Sequence, residues 1–174
     1  MIKAILTDFD QTLFDTQDLK PKWQQGGKPD WPVIYSRIPD IQLYDGWRGV
    51  RDSLNNLPWG VVSSNVKGLI EKTLKHHKFA VDFIIGRYGE GQRWPRRPLP
   101  KIQLFDYAMQ HIGGLDRNEV LYIGDEAADI TQANEYGFQS AACYWGTLEP
   151  DQLQATNPTY TLHKPTDLLL CVNN

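Results

Sequence analysis

The chain of 174 residues is 41% hydrophobic and 22% charged, the balance of a folded globular protein, which excludes disorder as the global state. A formal net charge of -3 gives no general attraction to nucleic acid or to an anionic membrane. Cys143 and Cys171 are too few thiols for a disulfide scaffold or a zinc finger, no apolar run is long enough to cross a membrane, and the one before the first acids is too short for a secretory signal; together these favour a cytoplasmic protein with free thiols.

Residues 2–7 read as a short buried strand that stops at acids, and 46–56 as a helix leading into a second strand at 59–63. Val66, Leu69, Ile70, Thr73, Leu74 and His77 then fall on one helical stripe. A third strand at 81–85 ends at Gly86, and a second stripe through Ile102, Phe105, Ala108, Met109 and Ile112 ends at Gly113 and Gly114. A fourth strand at 119–123, a helix at 127–136, a fifth strand at 139–144 and a closing helix at 165–172 complete the order. Strands alternating with helices predict an α/β fold: a Rossmann-like parallel sheet flanked by helices, in which ligands bind beyond the carboxyl ends of the strands.

Residues 14–45 break the alternation. Pro21, Gly26, Gly27, Pro29, Pro32 and Pro39 interrupt any long helix there. The segment reads as a mostly irregular lid within a single domain spanning 1–174, with a helical turn or two near Val33 to Ser36. Its aromatics Trp23, Trp31 and Tyr35 suit a cover over the strand ends.

Four polar constellations stand at strand ends. Asp8 and Asp10 project to the same side of an extended segment, so two carboxylates face one small space. A divalent cation would hold one as the anion while the other keeps a proton, splitting the pair into nucleophile and acid; an Asx-turn is the simpler reading. Asp125 follows the fourth strand and Asp129 lies one helical turn on, an oxygen-only set that suits magnesium or, more simply, caps a helix. Ser63, Ser64 and Asn65 precede a helix, where hydroxyls and N–H groups bind phosphate oxygens or serve as an N-cap. Between residues 87 and 101, Arg87, Arg93, Arg96, Arg97 and Lys101 face only Glu90, a net +4 that could neutralise a phosphate or be a solvated loop.

In this order, the four resemble the haloacid dehalogenase (HAD) superfamily of phosphatases over nearly the whole chain. The resemblance lies in residues 7–13 (TDFDQTL), 61–65 (VVSSN), 97–100 (RPLP) and 122–130 (YIGDEAADI). The stretch 141–146 (AACYWG) resembles phosphoglycolate-phosphatase-like members. The resemblance implies a Rossmann-like core and a phosphatase in which Asp8 is the nucleophile and forms an aspartyl-phosphate. Asp10 would be general acid and then base. Mg²⁺ would sit on Asp8, the Asp10 carbonyl and Asp125, with Asp129 beside the metal or orienting a lysine. Ser63 would hold a phosphate oxygen, with Phe9, Thr12, Ser64 and Asn65 in the phosphate-binding set.

Two departures stand out. The third motif usually begins with lysine, where this chain has Arg97; alignment favours Arg97 as the catalytic cation, with Lys101 as the alternative. Position 11 is glutamine where glycine is usual. The 54 residues between Asp8 and Ser63 are too few for the family's full helical cap, so shielding would fall to Trp23, Trp31, a second copy of the chain or a large substrate. A small phosphorylated compound is the expected substrate. A binding module on a worn HAD fold and a nucleic-acid end phosphatase are the rivals, the second opposed by overall acidity.

Overall fold

A computed structural model describes residues 1–19, 29–87 and 99–172. Eight strands occur among the described residues. These are β1 (Ala4–Thr7), β2 (Phe14–Asp15), β3 (Gln42–Leu43), β4 (Trp59–Val62), β5 (Phe83–Ile85), β6 (Val120–Gly124), β7 (Gln139–Cys143) and β8 (Tyr160–Leu162). The helices are α1 (Trp31–Ser36), α2 (Trp47–Ser53), α3 (Lys67–His76), α4 (Lys101–His111), α5 (Ala127–Tyr136), α6 (Pro150–Ala155) and α7 (Leu168–Val172).

Six strands form one parallel sheet in the order β5-β4-β1-β6-β7-β8. Every residue of β1, β4 and β6 is buried, because helices cover both faces. Side chains alternate between two cores. Ile5, Trp59, Val61, Leu121 and Ile123 pack toward α2 and α3. Ala4, Leu6, Val62, Val120 and Tyr122 pack toward α4 and α5. The chain leaves β1 toward β4 and β5, then returns to lay β6 on the other side of β1. That reversal opens a crevice at the carboxyl ends of β1 and β6, where an open α/β sheet binds its ligands. Asp8 follows β1 and Asp125 follows β6.

The predicted α/β class is the observed one. The sheet has one strand more than expected, β8 at its edge, and α6 lies in a stretch left unassigned. The closing segment is a 3₁₀ turn, Pro165–Asp167, followed by α7. In residues 14–45, the helical turn near Val33 is α1, capped by Asp30. The unforeseen part is an antiparallel pair of two-residue strands, β2 and β3. The Trp31 ring lies tilted against that of Tyr35, with centroids 5.9 Å apart; Trp23 lies outside the described residues.

His77, which caps the end of α3, ties this segment to the core: its ring lies 5.1 Å from that of Phe14. Among the described residues its buried Nε2 has no well-aligned hydrogen-bond partner, although the Ile38 and Ile41 main chain lies close enough to oppose part of the shift. Burial first, then the neighbouring His76, pushes the imidazole below its usual pKa. The unfolded chain therefore takes up this proton first as pH falls. Stability from His77 is present above about pH 6.5 and declines as the pH drops through that value toward the lowered one. His77→Gln should flatten the loss of urea-measured stability between about pH 7 and 5; an unaltered slope would contradict this.

Candidate active site

Asp8 continues β1 and donates its N–H to the Ile123 carbonyl at 2.8 Å, so it stands at the β1–β6 crevice. Its Oδ1 accepts the Phe9 N–H at 2.7 Å and its Oδ2 accepts the Lys101 ammonium at 2.9 Å. Lys101 Nζ also lies 2.7 Å from Asp129 Oδ2 and donates to the Val62 carbonyl. The Tyr122 hydroxyl donates to the same Asp129 oxygen at 3.0 Å. One buried ammonium thus bridges two buried carboxylates.

Burial alone would raise the Asp8 carboxyl. The Lys101 ammonium, by its charge and its hydrogen bond, and the Phe9 N–H together hold it below the usual carboxylate range. The same burial would lower Lys101, but Asp129 and Asp8 raise it. Asp8 is therefore an anion and Lys101 a cation at neutral pH.

Among the described residues the cation at the carboxylates is Lys101, the alternative of the two predicted. Arg97, with Arg93 and Arg96, lies outside the described residues. Lys101 is only 3% exposed and so leaves the supposed basic surface. It is also the first residue of α4, where the helix dipole disfavours a positive charge. Its two carboxylate partners offset that cost.

Asp10 is half-buried at the mouth. It accepts the Thr16 hydroxyl at 2.7 Å and the Asn65 side-chain amide at 2.9 Å. Asn65 also accepts the Val66 N–H. The Asn65 side chain thus aims Asp10. Ser63 is buried, and its Oγ accepts the Asn65 N–H at 3.1 Å; Ser64 is exposed.

Two residues of the expected phosphate-binding set turn their side chains elsewhere. The Phe9 ring is fully buried against Phe14, with centroids 5.2 Å apart, and belongs to the core. Thr12 is fully buried, and its hydroxyl donates to Asp125 Oδ1 at 3.0 Å, so it turns inward to the carboxylate.

Gln11 has a φ of 56°, the left-handed region that glycine enters freely. Its amide oxygen accepts the Tyr44 hydroxyl at 2.8 Å, which ties the added side chain to the segment before α2. Against this turn lies Gly146, where a Cβ would come within 1.8 Å of the Gln11 carbonyl oxygen.

Burial, and next the charge on Asp8, push the Asp125 carboxyl up to about 8. Two acids thus compete to ionise in one dry space, which a dication between them would relieve. Among the described residues no three His, Cys, Asp or Glu side chains form a metal-binding cluster. Two carboxylates completed by a main-chain carbonyl and water remain a donor set of the kind magnesium takes. Asp129 is held by Lys101 and Tyr122, which matches lysine orientation, the other role expected of it.

The sequence profile of the haloacid dehalogenase-like hydrolase family matches residues 33–143. The chain belongs to the haloacid dehalogenase-like hydrolase family. The matched stretch holds Ser63, Lys101, Asp125 and Asp129; Asp8 and Asp10 precede it and join it through β1, which lies between β4 and β6. This family member is 28% identical over 137 residues to a phosphoglycolate phosphatase of Synechococcus elongatus, covering 78% of this chain and 61% of that protein. It therefore spans less than two thirds of that relative's length. Among solved structures, a haloacid dehalogenase-like family hydrolase from Streptococcus pneumoniae superposes with a TM-score of 0.76 at 22% identity over 98% of both chains. The HAD hydrolase YfnB of Bacillus subtilis, solved bound to magnesium, superposes at 0.70 with 17% identity over 99% of both. At these identities the likeness is one of fold. No helix among the described residues is long and apolar enough to cross a membrane.

Proposed function

We propose that this chain is a magnesium-dependent phosphomonoester hydrolase with Asp8 as nucleophile. The observation that carries the reading is the buried Asp8–Lys101–Asp129 arrangement beside the oriented Asp10. Asp8 is ionised, aimed and short of water, as a carboxylate nucleophile must be. In the first step an Asp8 carboxylate oxygen bonds to phosphorus in line with the departing oxygen, whose bond to phosphorus breaks as Asp10 gives it a proton. In the second, Asp10 takes a proton from water, the water oxygen bonds to phosphorus, and the acyl-phosphate bond breaks to restore Asp8. Lys101 offsets charge that gathers on the phosphoryl oxygens. Asp8, the Asp10 carbonyl and Asp125 would hold magnesium, which supplies further charge neutralisation when bound.

Against a worn-out fold, the reading is supported by the hydrogen bond between Gln11 and Tyr44 and by the lysine that meets Asp8. The substrate we infer is a small phosphorylated metabolite, and the name of the Synechococcus relative puts phosphoglycolate first on a screening panel. Phosphate release should require Mg²⁺ and stop with EDTA, and Asp125→Asn should need ~10-fold or more added Mg²⁺ for half-maximal rate. A panel with no magnesium-dependent release would refute the proposal.

A further inference from the structure

The main-chain carbonyl of Thr12 accepts two indole N–H groups, Trp47 Nε1 from α2 and Trp145 Nε1 from the loop after β7, each at 3.0 Å. A carbonyl oxygen has two lone pairs, so this acceptor is saturated. The two indoles meet edge to face with centroids 5.9 Å apart, and Trp145 also meets Tyr44 at 6.3 Å. The turn they grip is closed from within: Leu13 and Phe14 both return their N–H groups to the Phe9 carbonyl. It is closed from outside by Gly146, packed on the Gln11 carbonyl. Thr12 cannot shift without breaking two hydrogen bonds, one from α2 and one from the loop after β7.

What the grip fixes is a hydroxyl. Thr12 Oγ1 donates its single proton to Asp125 Oδ1 at 3.0 Å. The Cys143 sulfur lies 3.6 Å from Thr12 Oγ1; with the Thr12 proton given to Asp125, the thiol donates to Thr12. Among the described contacts this is the side-chain bond that sets the rotamer of Asp125. Just past Trp145, Gly146, Thr147 and Leu148 join Asp125 and Glu126 in lining a cleft of about 420 Å³.

We propose that Trp47 and Trp145 are positioning residues for the ion-binding carboxylate of Asp125, acting through Thr12. This rests on the magnesium-dependent reading above. Packing alone would need the indole rings but not their N–H groups, and Thr12 would need its shape but not its hydroxyl. Removing a group that orients a metal ligand typically weakens metal binding by ~10–100-fold. Losing one of two donors to the relay should fall below that range.

Calorimetric titration of the full chain with MgCl₂, without substrate, separates these roles. Trp145→Phe keeps an aromatic ring and removes the donor; it should weaken magnesium binding by roughly 3–10-fold. Its kcat should recover toward the unmutated value at saturating Mg²⁺, as befits a residue that positions the ion's ligand. Thr12→Val keeps the shape and should weaken binding by ~10–100-fold, while Thr12→Ser should stay within about twofold of the unmutated chain. Folded Trp145→Phe and Thr12→Val proteins with unchanged affinity would overturn the clamp alone. So would a folded Thr12→Ser protein as weak as Thr12→Val. Should Thr12→Val fail to fold, Trp145→Phe decides by itself. An unmutated chain that gives no magnesium signal would overturn the clamp together with the reading it rests on.

Discussion

Asp8→Asn is expected to lower kcat for magnesium-supported hydrolysis of p-nitrophenyl phosphate by at least about 10³-fold, since nucleophile removal leaves only binding and electrostatic catalysis. The substitution is nearly isosteric, and Oδ1 can still accept the Phe9 N–H that now holds it at 2.7 Å. What it removes is the negative charge and the oxygen that faces Lys101. Lys101 retains Asp129 at 2.7 Å, so the protein should remain folded and the loss should appear in turnover. Asp10→Asn should behave differently. Its penalty should be larger for an alkyl phosphate, whose leaving oxygen needs a proton, than for p-nitrophenyl phosphate, whose leaving group departs as a stable anion. A folded Asp8→Asn protein within tenfold of the original rate would remove the nucleophile assignment.

Lys101→Met should damage both stability and rate. The side chain is buried between Asp8 and Asp129, and methionine supplies comparable length without charge. Two carboxylates would then face each other in a place that water barely enters. Breaking a buried pair in this way costs about 3–5 kcal/mol, a large fraction of the stability of an ordinary domain. Urea unfolding measures it. The rate should fall by ~10²–10³-fold, the usual consequence of losing a preorganised charge at the transferring group. Lys101→Arg should not rescue it, because a planar guanidinium is wider than the ammonium that fits this enclosed space. A Lys101→Met protein with its original stability and turnover would return the catalytic cation to Arg97.

The sheet was legible wherever burial on both faces wrote a continuous apolar run, as at Ile5, Val61 and Leu121. The site was legible because acids and hydroxyls stand where those runs stop. β8 was not: Tyr160, Thr161 and Leu162 are three residues at a sheet edge, where one neighbour supplies all the pairing and no apolar run is needed. β2 and β3 are shorter still, and their pairing across residues 16–41 follows from the turn beyond Asp10. The α6 helix did carry a signal, Pro150 at its first position after Glu149. Lys101 illustrates a more general gap. Local sequence places a lysine at a helix start, where it is unfavourable; only the fold brings Asp8 and Asp129, distant in the chain, to its ammonium. The roles of Trp47 and Trp145 were hidden likewise, since an indole that donates to a main-chain carbonyl looks, in sequence, like any core aromatic.

With Asp8 as nucleophile, phosphorus becomes covalently bound to it during turnover. Acid-quenching Asp10→Asn during its reaction with p-nitrophenyl phosphate and Mg²⁺, followed by peptide mass spectrometry, tests it most directly. This variant should form the acyl phosphate and hydrolyse it slowly. One phosphoryl group is expected on the Asp8 peptide, lost on treatment with hydroxylamine. A phosphoryl group on another residue, or p-nitrophenol released in a first turnover with Asp8 unmodified, would contradict it.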